Sequence, residues 1–252
     1  VALTLDLTGK VATVTGGSRG IGKAICHAFA AAGADVVVAS RKIESCKSVA
    51  TEIEDAYGVR TLPVAVNVSN WDECDRLCEA VYEWSGHCEI LVNNAGSSPQ
   101  YENLVSVSEA LYDKTHNINA RGAFRLGALF GSRMTSGDGG LIIQISSTAV
   151  YYPVKEELPY KMAKHSLHAL TAALISEYQP KVRANTIVAG AFDTDITDAW
   201  PPGKKEEAAA KNPLRRIGRP DDVANLCVFL ASDAGAYVNG AEILLDGGVA
   251  RR

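Results

Sequence analysis

Val11-Ala12-Thr13-Val14-Thr15-Gly16-Gly17-Ser18-Arg19-Gly20-Ile21-Gly22 decides how the rest of the chain is read. The first five residues are largely β-branched and fit one short strand. Glycines follow without a spacer. Beyond them Ile21, Ala24, Ile25, Ala28, Phe29 and Ala32 recur at intervals of three and four, the stripe of an amphipathic helix that stops at Gly33. Strand, glycine turn and helix form the opening of a nucleotide-binding βαβ unit. Glycines permit a tight turn and close backbone approach, so the helix N-terminus can aim its free amides at a pyrophosphate. Gly16, Ser18, Arg19, Gly20 and Ile21 are therefore candidate cofactor contacts, although the spacing differs from the common G-x-G-x-x-G.

Outward from this unit the alternation repeats. Helical spacing is read over 44–57, 72–84, 108–134, the segment after Tyr160, and 221–230; strands are read over 35–39, 61–66, 90–92, 141–145, 182–188 and 242–245. Strands with continuous apolar cores, each followed by a helix, imply a parallel sheet covered on both faces. The expected fold is α/β: a single doubly wound (Rossmann) domain over residues 1–252, with about seven strands and helices on both faces. One segment, 192–212, breaks the rhythm at Trp200-Pro201-Pro202-Gly203 and continues into a polar helix over 204–211. A long excursion near strand ends is expected to be a substrate-loop insertion.

Composition excludes several function classes. A chain of 252 residues with 47% hydrophobic residues and a net charge of -4 has the make-up of an ordinary globule. It has no basic run for nucleic acid and no apolar stretch approaching membrane length. Asp6 and Lys10 near the start do not resemble a secretory signal, so a cytoplasmic location is expected. The six cysteines read as core residues rather than a disulfide framework; Cys74 and Cys78 share the apolar face of Trp71, Leu77 and Val81. His165 and His168 lack partners at zinc-like spacing, so no metal is expected and a structural or solvent-facing role is assigned to them.

The second strand ends at Ser40-Arg41-Lys42. An acidic residue at such a position binds a ribose 2′-hydroxyl, whereas an arginine pairs with a 2′-phosphate. Neither Ser40 nor Arg41 is acidic, and Arg19 offers a second positive charge, so NADP(H) is expected over NAD(H).

Tyr160-Lys161-Met162-Ala163-Lys164 opens a helix just after Pro159 and places Tyr160 and Lys164 one turn apart on one face. Moving a phenol from about 10 to about 7 requires favouring the phenolate by roughly 4 kcal/mol. An ammonium about 5 Å away at an effective dielectric near 20 supplies roughly 3 kcal/mol. Lys164 is therefore expected to make Tyr160 an acid/base near neutral pH.

With these residues in hand, the chain from about Gly9 to Gly248 resembles the short-chain dehydrogenases/reductases. The glycine stretch matches that family's T-G-x-x-x-G-x-G, Asn93-Asn94-Ala95-Gly96 its N-N-A-G, Tyr160 to Lys164 its Y-x-x-x-K, and Asp246-Gly247-Gly248 its closing D-G-G. Ser147, 13 residues before Tyr160, matches the substrate-binding serine, with Ser146 beside it as the rival. Asn119, rather than Asn117, matches the helix asparagine of the N-x-x-G pattern. The resemblance implies hydride transfer between a nicotinamide cofactor and a ketone or secondary alcohol. Tyr160 would move the proton, Ser147 would bind the substrate oxygen, Lys164 would hold the ribose hydroxyls, and Asn119 would kink its helix and seat a relaying water. Asn94 and Gly96 would join the cofactor site, and Gly190 and Thr194 would meet the carboxamide, although Ala189-Gly190 stands where the family usually has Pro-Gly. Asn67-Val68 would contact adenine in place of the more usual Asp-Val, the asparagine oxygen accepting from the amino group.

The substrate pocket is expected from 98–101, 148–153, Phe192 and 196–200, mostly apolar or aromatic and suited to a neutral or hydrophobic ketone, with Lys155, Glu156 and Glu157 at its rim. The leading reading is an NADPH-dependent carbonyl reductase. Two alternatives are an NAD-linked dehydrogenase of a sugar or steroid alcohol and a non-catalytic dinucleotide-binding redox sensor. The family also implies a homotetramer, and Phe124, Leu126, Leu129 and Phe130 read as more apolar surface than one sheet face covers.

Overall fold

In the computed structural model, which describes residues 5–152, 157–198 and 200–250, Val11–Thr15 is the fully buried strand β1. It runs through the glycine turn into helix α1 (Gly20–Ala31), whose buried face carries Ile25, Cys26 and Phe29. The alternation continues through β2 (Asp35–Ser40), α2 (Ile43–Tyr57), β3 (Thr61–Ala65), α3 (Trp71–Ser85) and β4 (Ile90–Asn93). Then come α4 (Glu109–His116), α5 (Gly122–Ser136), β5 (Gly140–Ser147), α6 (Leu158–Tyr178) and β6 (Val182–Ala189). Short helices α7 (Asp195–Asp198) and α8 (Lys204–Lys211) precede α9 (Pro220–Ala231) and β7 (Glu242–Leu245).

The seven strands form one parallel sheet in the order β3-β2-β1-β4-β5-β6-β7. Winding reverses between β1 and β4, so the loops after these two strands diverge and leave a crevice at the carboxyl ends of the strands. Pro63, which cannot donate to a ladder, is tolerated because β3 is an edge strand. Two apolar cores sandwich the sheet. One packs α1 and α9 on Val14, Val36, Ile143 and Ile187; the other packs α3, α5 and α6 on Val37, Leu91, Ile142 and Ala184. The six cysteines are free and buried, as their apolar spacing implied.

The helix read over 108–134 is not continuous. Between α4 and α5 a π-helical stretch, Asn117–Arg121, closes with the Gly122 amide donating to Asn117 O. Gly122 is needed there, since a Cβ would lie 2.3 Å from Val68 O. The apolar side chains of α5 also need less covering than expected: Leu126 and Phe130 are wholly buried and Leu129 packs against the same core, leaving Phe124 as the exposed one. No described helix is long and apolar enough to cross a membrane.

Candidate active site

The glycine turn is built for close approach. Gly16 sits at φ +66°, and a Cβ on Gly22 would fall 2.2 Å from Gly16 O, so the first turn of α1 packs directly on the loop backbone. Thr15 Oγ1 accepts from the amides of Asn94 and Ala95 at 3.0 and 3.1 Å, while Asn94 Nδ2 donates to Thr15 O at 2.9 Å. Asn94 thus laces the loop after β4 to the loop after β1. Ser18 Oγ donates to Ser40 Oγ at 2.9 Å, joining the turn to the end of β2.

A cleft of about 550 Å³ opens along this edge of the sheet. Gly16, Arg19, Gly20, Ile21, Ser40, Arg41, Asn67, Val68, Asn94, Gly96, Ser147, Tyr160, Lys164, Gly190 and Thr194 all line it. Ser18 and Asn119 do not, and both support the wall from behind. At the β2 end Arg41 is exposed and has no ion-pair partner among the described residues, whereas Arg19 lies 3.5 Å from Asp195. Asn67 Oδ1, the oxygen expected to meet an adenine amino group, already accepts from Ser69 Oγ at 2.7 Å and Ser69 N at 3.3 Å. An Asx turn has claimed it, a competition that the residue pair alone does not reveal.

The proton-handling groups converge at the carboxyl end of β5. Lys164, 4% exposed, donates from Nζ to Ile145 O at 2.7 Å and lies 5.8 Å from the Tyr160 ring centroid. Burial lowers its amine to about 8. Burial likewise pushes the Tyr160 phenol up to about 12; hydrogen bonding with Ser147 pulls it down and the Glu157 carboxylate pushes it further up. The expected drop toward neutrality is therefore not seen. A nearby ammonium favours the phenolate, but taking that charge out of water costs more, and desolvation is the larger effect here. Ser147 Oγ also accepts from Ala149 N at 3.2 Å, capping the turn that follows β5.

Asn119 sits in the π stretch, so its helix is distorted where a kink was expected. Its side chain is committed to main chain: Nδ2 donates to Ser97 O at 2.8 Å and Thr115 O at 2.9 Å, and Oδ1 accepts from Ser97 N at 3.1 Å. Gly96 lies between this amide and Lys164, since a Cβ there would meet Asn119 Oδ1 at 2.8 Å and Lys164 Nζ at 3.3 Å. At the other wall, a Cβ on Gly190 would meet Asp246 Cβ at 2.8 Å, so the closing Asp246-Gly247-Gly248 turn packs directly against the loop after β6.

The substrate side differs from the expected list. Ser98, Thr148, Ala149, Tyr152, Phe192, Thr197 and Trp200 line the cleft, but Pro99, Gln100 and Tyr101 do not. The last two brace the start of α6 instead: Tyr101 OH accepts from Leu158 N at 2.8 Å, and Gln100 Nε2 donates to Glu157 at 3.2 Å. Glu157 does line the cleft; Pro153, Lys155, Glu156, Ala199 and the Ile196 side chain lie outside the described residues. Ala149, Tyr152, Phe192 and Trp200 keep this end largely apolar or aromatic as expected, with Ser98, Thr148, Thr197 and Glu157 adding polar groups. Lys114 and Ile118 on the α4 side also line the cleft and were missed; only the one-turn spacing to the π stretch could have pointed to them. Among the described residues no cluster of His, Cys, Asp and Glu could hold a metal.

Comparison with known proteins bears on the same residues. A family model described as Enoyl-(Acyl carrier protein) reductase matches residues 16–250. A 3-oxoacyl-[acyl-carrier-protein] reductase of Thermotoga maritima is 32% identical over 97% of this chain and 99% of its own length. An L-rhamnose 1-dehydrogenase (NAD(P)(+)) of Azotobacter vinelandii is 34% identical over 96% of this chain and 97% of its own. Among solved structures, the L-sorbose reductase of Gluconobacter frateurii, complexed with NADPH and L-sorbose, superposes with a TM-score of 0.93 at 29% identity, covering 99% of this chain and 100% of that one.

Proposed function

The chain belongs to the short-chain dehydrogenase/reductase family, and within it we propose an NADP(H)-dependent oxidoreductase that interconverts a ketone and a secondary alcohol, acting as a carbonyl reductase. The observation that carries this reading is the convergence of the glycine turn and the Arg41, Tyr160, Ser147 and Lys164 side chains on one cleft. The residues present fit a dinucleotide: the loop backbone is open to close approach, and the Arg41 guanidinium, without an ion-pair partner among the described residues, would be available to a 2′-phosphate. Gly16, Arg19, Gly20 and Ile21 would hold the pyrophosphate, Ser40, braced by Ser18, and Arg41 the 2′-phosphate, and Val68 and Asn67, the latter by packing rather than through its engaged oxygen, the adenine. Asn94, Gly96, Lys164, Gly190 and Thr194 would hold the nicotinamide half. When bound, the cofactor supplies or accepts the hydride.

The chain's own task is then one proton and one oxygen. A phenol held near 12 is protonated at neutral pH, so Tyr160 serves as the acid that donates to the forming alkoxide. Ser147 donates a hydrogen bond to the substrate oxygen and stabilises its charge as it develops. Lys164, cationic below about 8, offsets the phenolate left on Tyr160. Asn119 braces the Ser97 backbone and, through Gly96, the wall against which Lys164 rests. Residues 192–212 would cover the substrate, and the same proposal includes a single domain, a cytoplasmic homotetramer and no nucleic-acid or membrane partner.

Initial rates on a panel of ketones with NADPH and with NADH test the reading. Faster turnover with NADPH is expected, and equal or better use of NADH would overturn the assignment of Arg41. A second reading, an NAD-linked dehydrogenase of a sugar, draws its substrate class from the hydroxyl-bearing lining of Ser98, Thr148, Tyr152 and Thr197 and from the sugars named for the rhamnose and sorbose relatives, while its NAD dependence has no such support. The same panel, extended to polyols, separates the two. A redox sensor would have no use for Ser147, Tyr160 and Lys164 gathered at one point.

A further inference from the structure

One polar chain, running from buried Ser146 through His168 to the exposed Glu242, lies outside the residues used so far. Ser146, 2% exposed, has its hydroxyl 2.9 Å from His168 Nε2 on α6 and 3.3 Å from the Lys164 carbonyl. The other ring nitrogen, His168 Nδ1, is 2.9 Å from Glu242 Oε1 on β7, and Glu242 Oε2 accepts from Tyr151 OH at 3.1 Å. With Nδ1–H donated to the carboxylate, Nε2 can accept the single Ser146 hydroxyl proton, which is then turned away from the Lys164 carbonyl. The Tyr151 ring stands edge-on to His168 at 6.5 Å and the exposed His165 ring lies 5.6 Å away.

The placement of this chain gives it leverage. Ser146 lies between Ile145, whose carbonyl holds Lys164 Nζ, and Ser147, the partner of Tyr160. His168 is one helical turn beyond Lys164, which is one turn beyond Tyr160. A bond from β5 to His168 therefore sets the height and rotation of α6 against the strand end that carries Ser147. An apolar residue would fill the space without fixing a direction; an imidazole anchored by a carboxylate fixes it. We propose that His168, held by Glu242, is a positioning residue that sets the register between Ser147 on β5 and the Tyr160–Lys164 pair on α6.

The inference rests on the proposed carbonyl reduction, so wild-type turnover is measured first. His168→Ala should lower kcat by about ten- to a hundredfold through misplacement alone, while the Kd for NADPH stays within about twofold. His168→Gln, which can again offer Ser146 an acceptor, should recover most of kcat. Ser146→Ala should reproduce the loss, and the double variant should be no worse than either single one. Equal losses in His168→Ala and His168→Gln would mean that an acceptor for Ser146 is not what turnover depends on, and unchanged kcat or multiplying losses would likewise overturn the proposal. Should His168→Ala fail to fold, Ser146→Ala against Glu242→Gln carries the same comparison. A wild type that turns over no carbonyl substrate refutes the functional reading instead. The coupling is then read from Tm, where additive shifts of Ser146→Ala and His168→Ala would sink it.

Discussion

Lys164→Met should stabilise the protein while abolishing turnover. Lys164 is buried, and its amine is lowered from 10.5 to about 8, which amounts to roughly 3 kcal/mol set against the ammonium at neutral pH. Methionine matches the hydrocarbon stem and carries no charge, but it gives up the bond to Ile145 O, worth about 1 kcal/mol net. The balance is a gain of about 2 kcal/mol, or a rise in Tm of roughly 4–8 °C for a chain of this size. Because the folded-state value lies below the unfolded one, the lysine's contribution to stability is complete above 10.5 and is lost as pH falls through about 8. The advantage of the variant should therefore be full near pH 7 and shrink as pH rises toward 10.5. Urea unfolding of both proteins, without nucleotide, at several pH values measures it. A variant less stable than wild type at pH 7, or a gap that ignores pH, would refute the reasoning.

Tyr160→Phe should bind NADPH almost normally and lose turnover by orders of magnitude; retained activity in steady-state assays would remove Tyr160 as the acid. Ser40→Asp should shift preference toward NADH by placing a carboxylate beside Arg41, and an unchanged ratio of kcat/KM values would mean that the β2 end does not contact the cofactor. Gly96→Ala should cut activity by about tenfold or more, since its Cβ would press on Asn119 Oδ1 and Lys164 Nζ, with crystallography or Tm showing an intact fold. In reduction, kcat should decline as pH rises through about 8, where Lys164 loses its charge while Tyr160 stays protonated; a pH–rate profile flat across that value would contradict this assignment.

The sheet was legible because burial on both faces leaves an unmistakable trace: β1, β4 and β6 are runs with hardly a charged side chain, and α1 repeats its apolar stripe for three turns. Helix 108–134 was harder. Hydrophobic spacing continues through Asn117–Arg121, but the extra residue of a π turn shifts the faces without interrupting the stripe, so Leu126 and Phe130 were read as surplus surface although they are core. For the site, motif order located the cleft wall because strand ends converge wherever a doubly wound sheet reverses. What motif order could not give was competition for polar atoms. Asn67 Oδ1 is claimed by the Ser69 hydroxyl and amide, Tyr101 by the Leu158 amide, and Asn119 by the Ser97 backbone, contacts with no signature in residue spacing.

The Tyr160 phenol shows how the two levels combine. Spacing places an amine one turn away, and taken alone that would make the phenol more acidic. Packing reverses the sign: Lys164 is buried and turns a proton toward Ile145 O, and desolvation of the half-buried Tyr160 phenol outweighs the pull of the amine. A neutral phenol beside a reluctant ammonium is well matched to giving a proton and poorly matched to taking one at neutral pH. In the proposed reaction the protonated phenol is ready to give its proton to an alkoxide at neutral pH, whereas taking one from an alcohol should require either a higher pH or a bound group that draws Lys164 closer to the phenol oxygen.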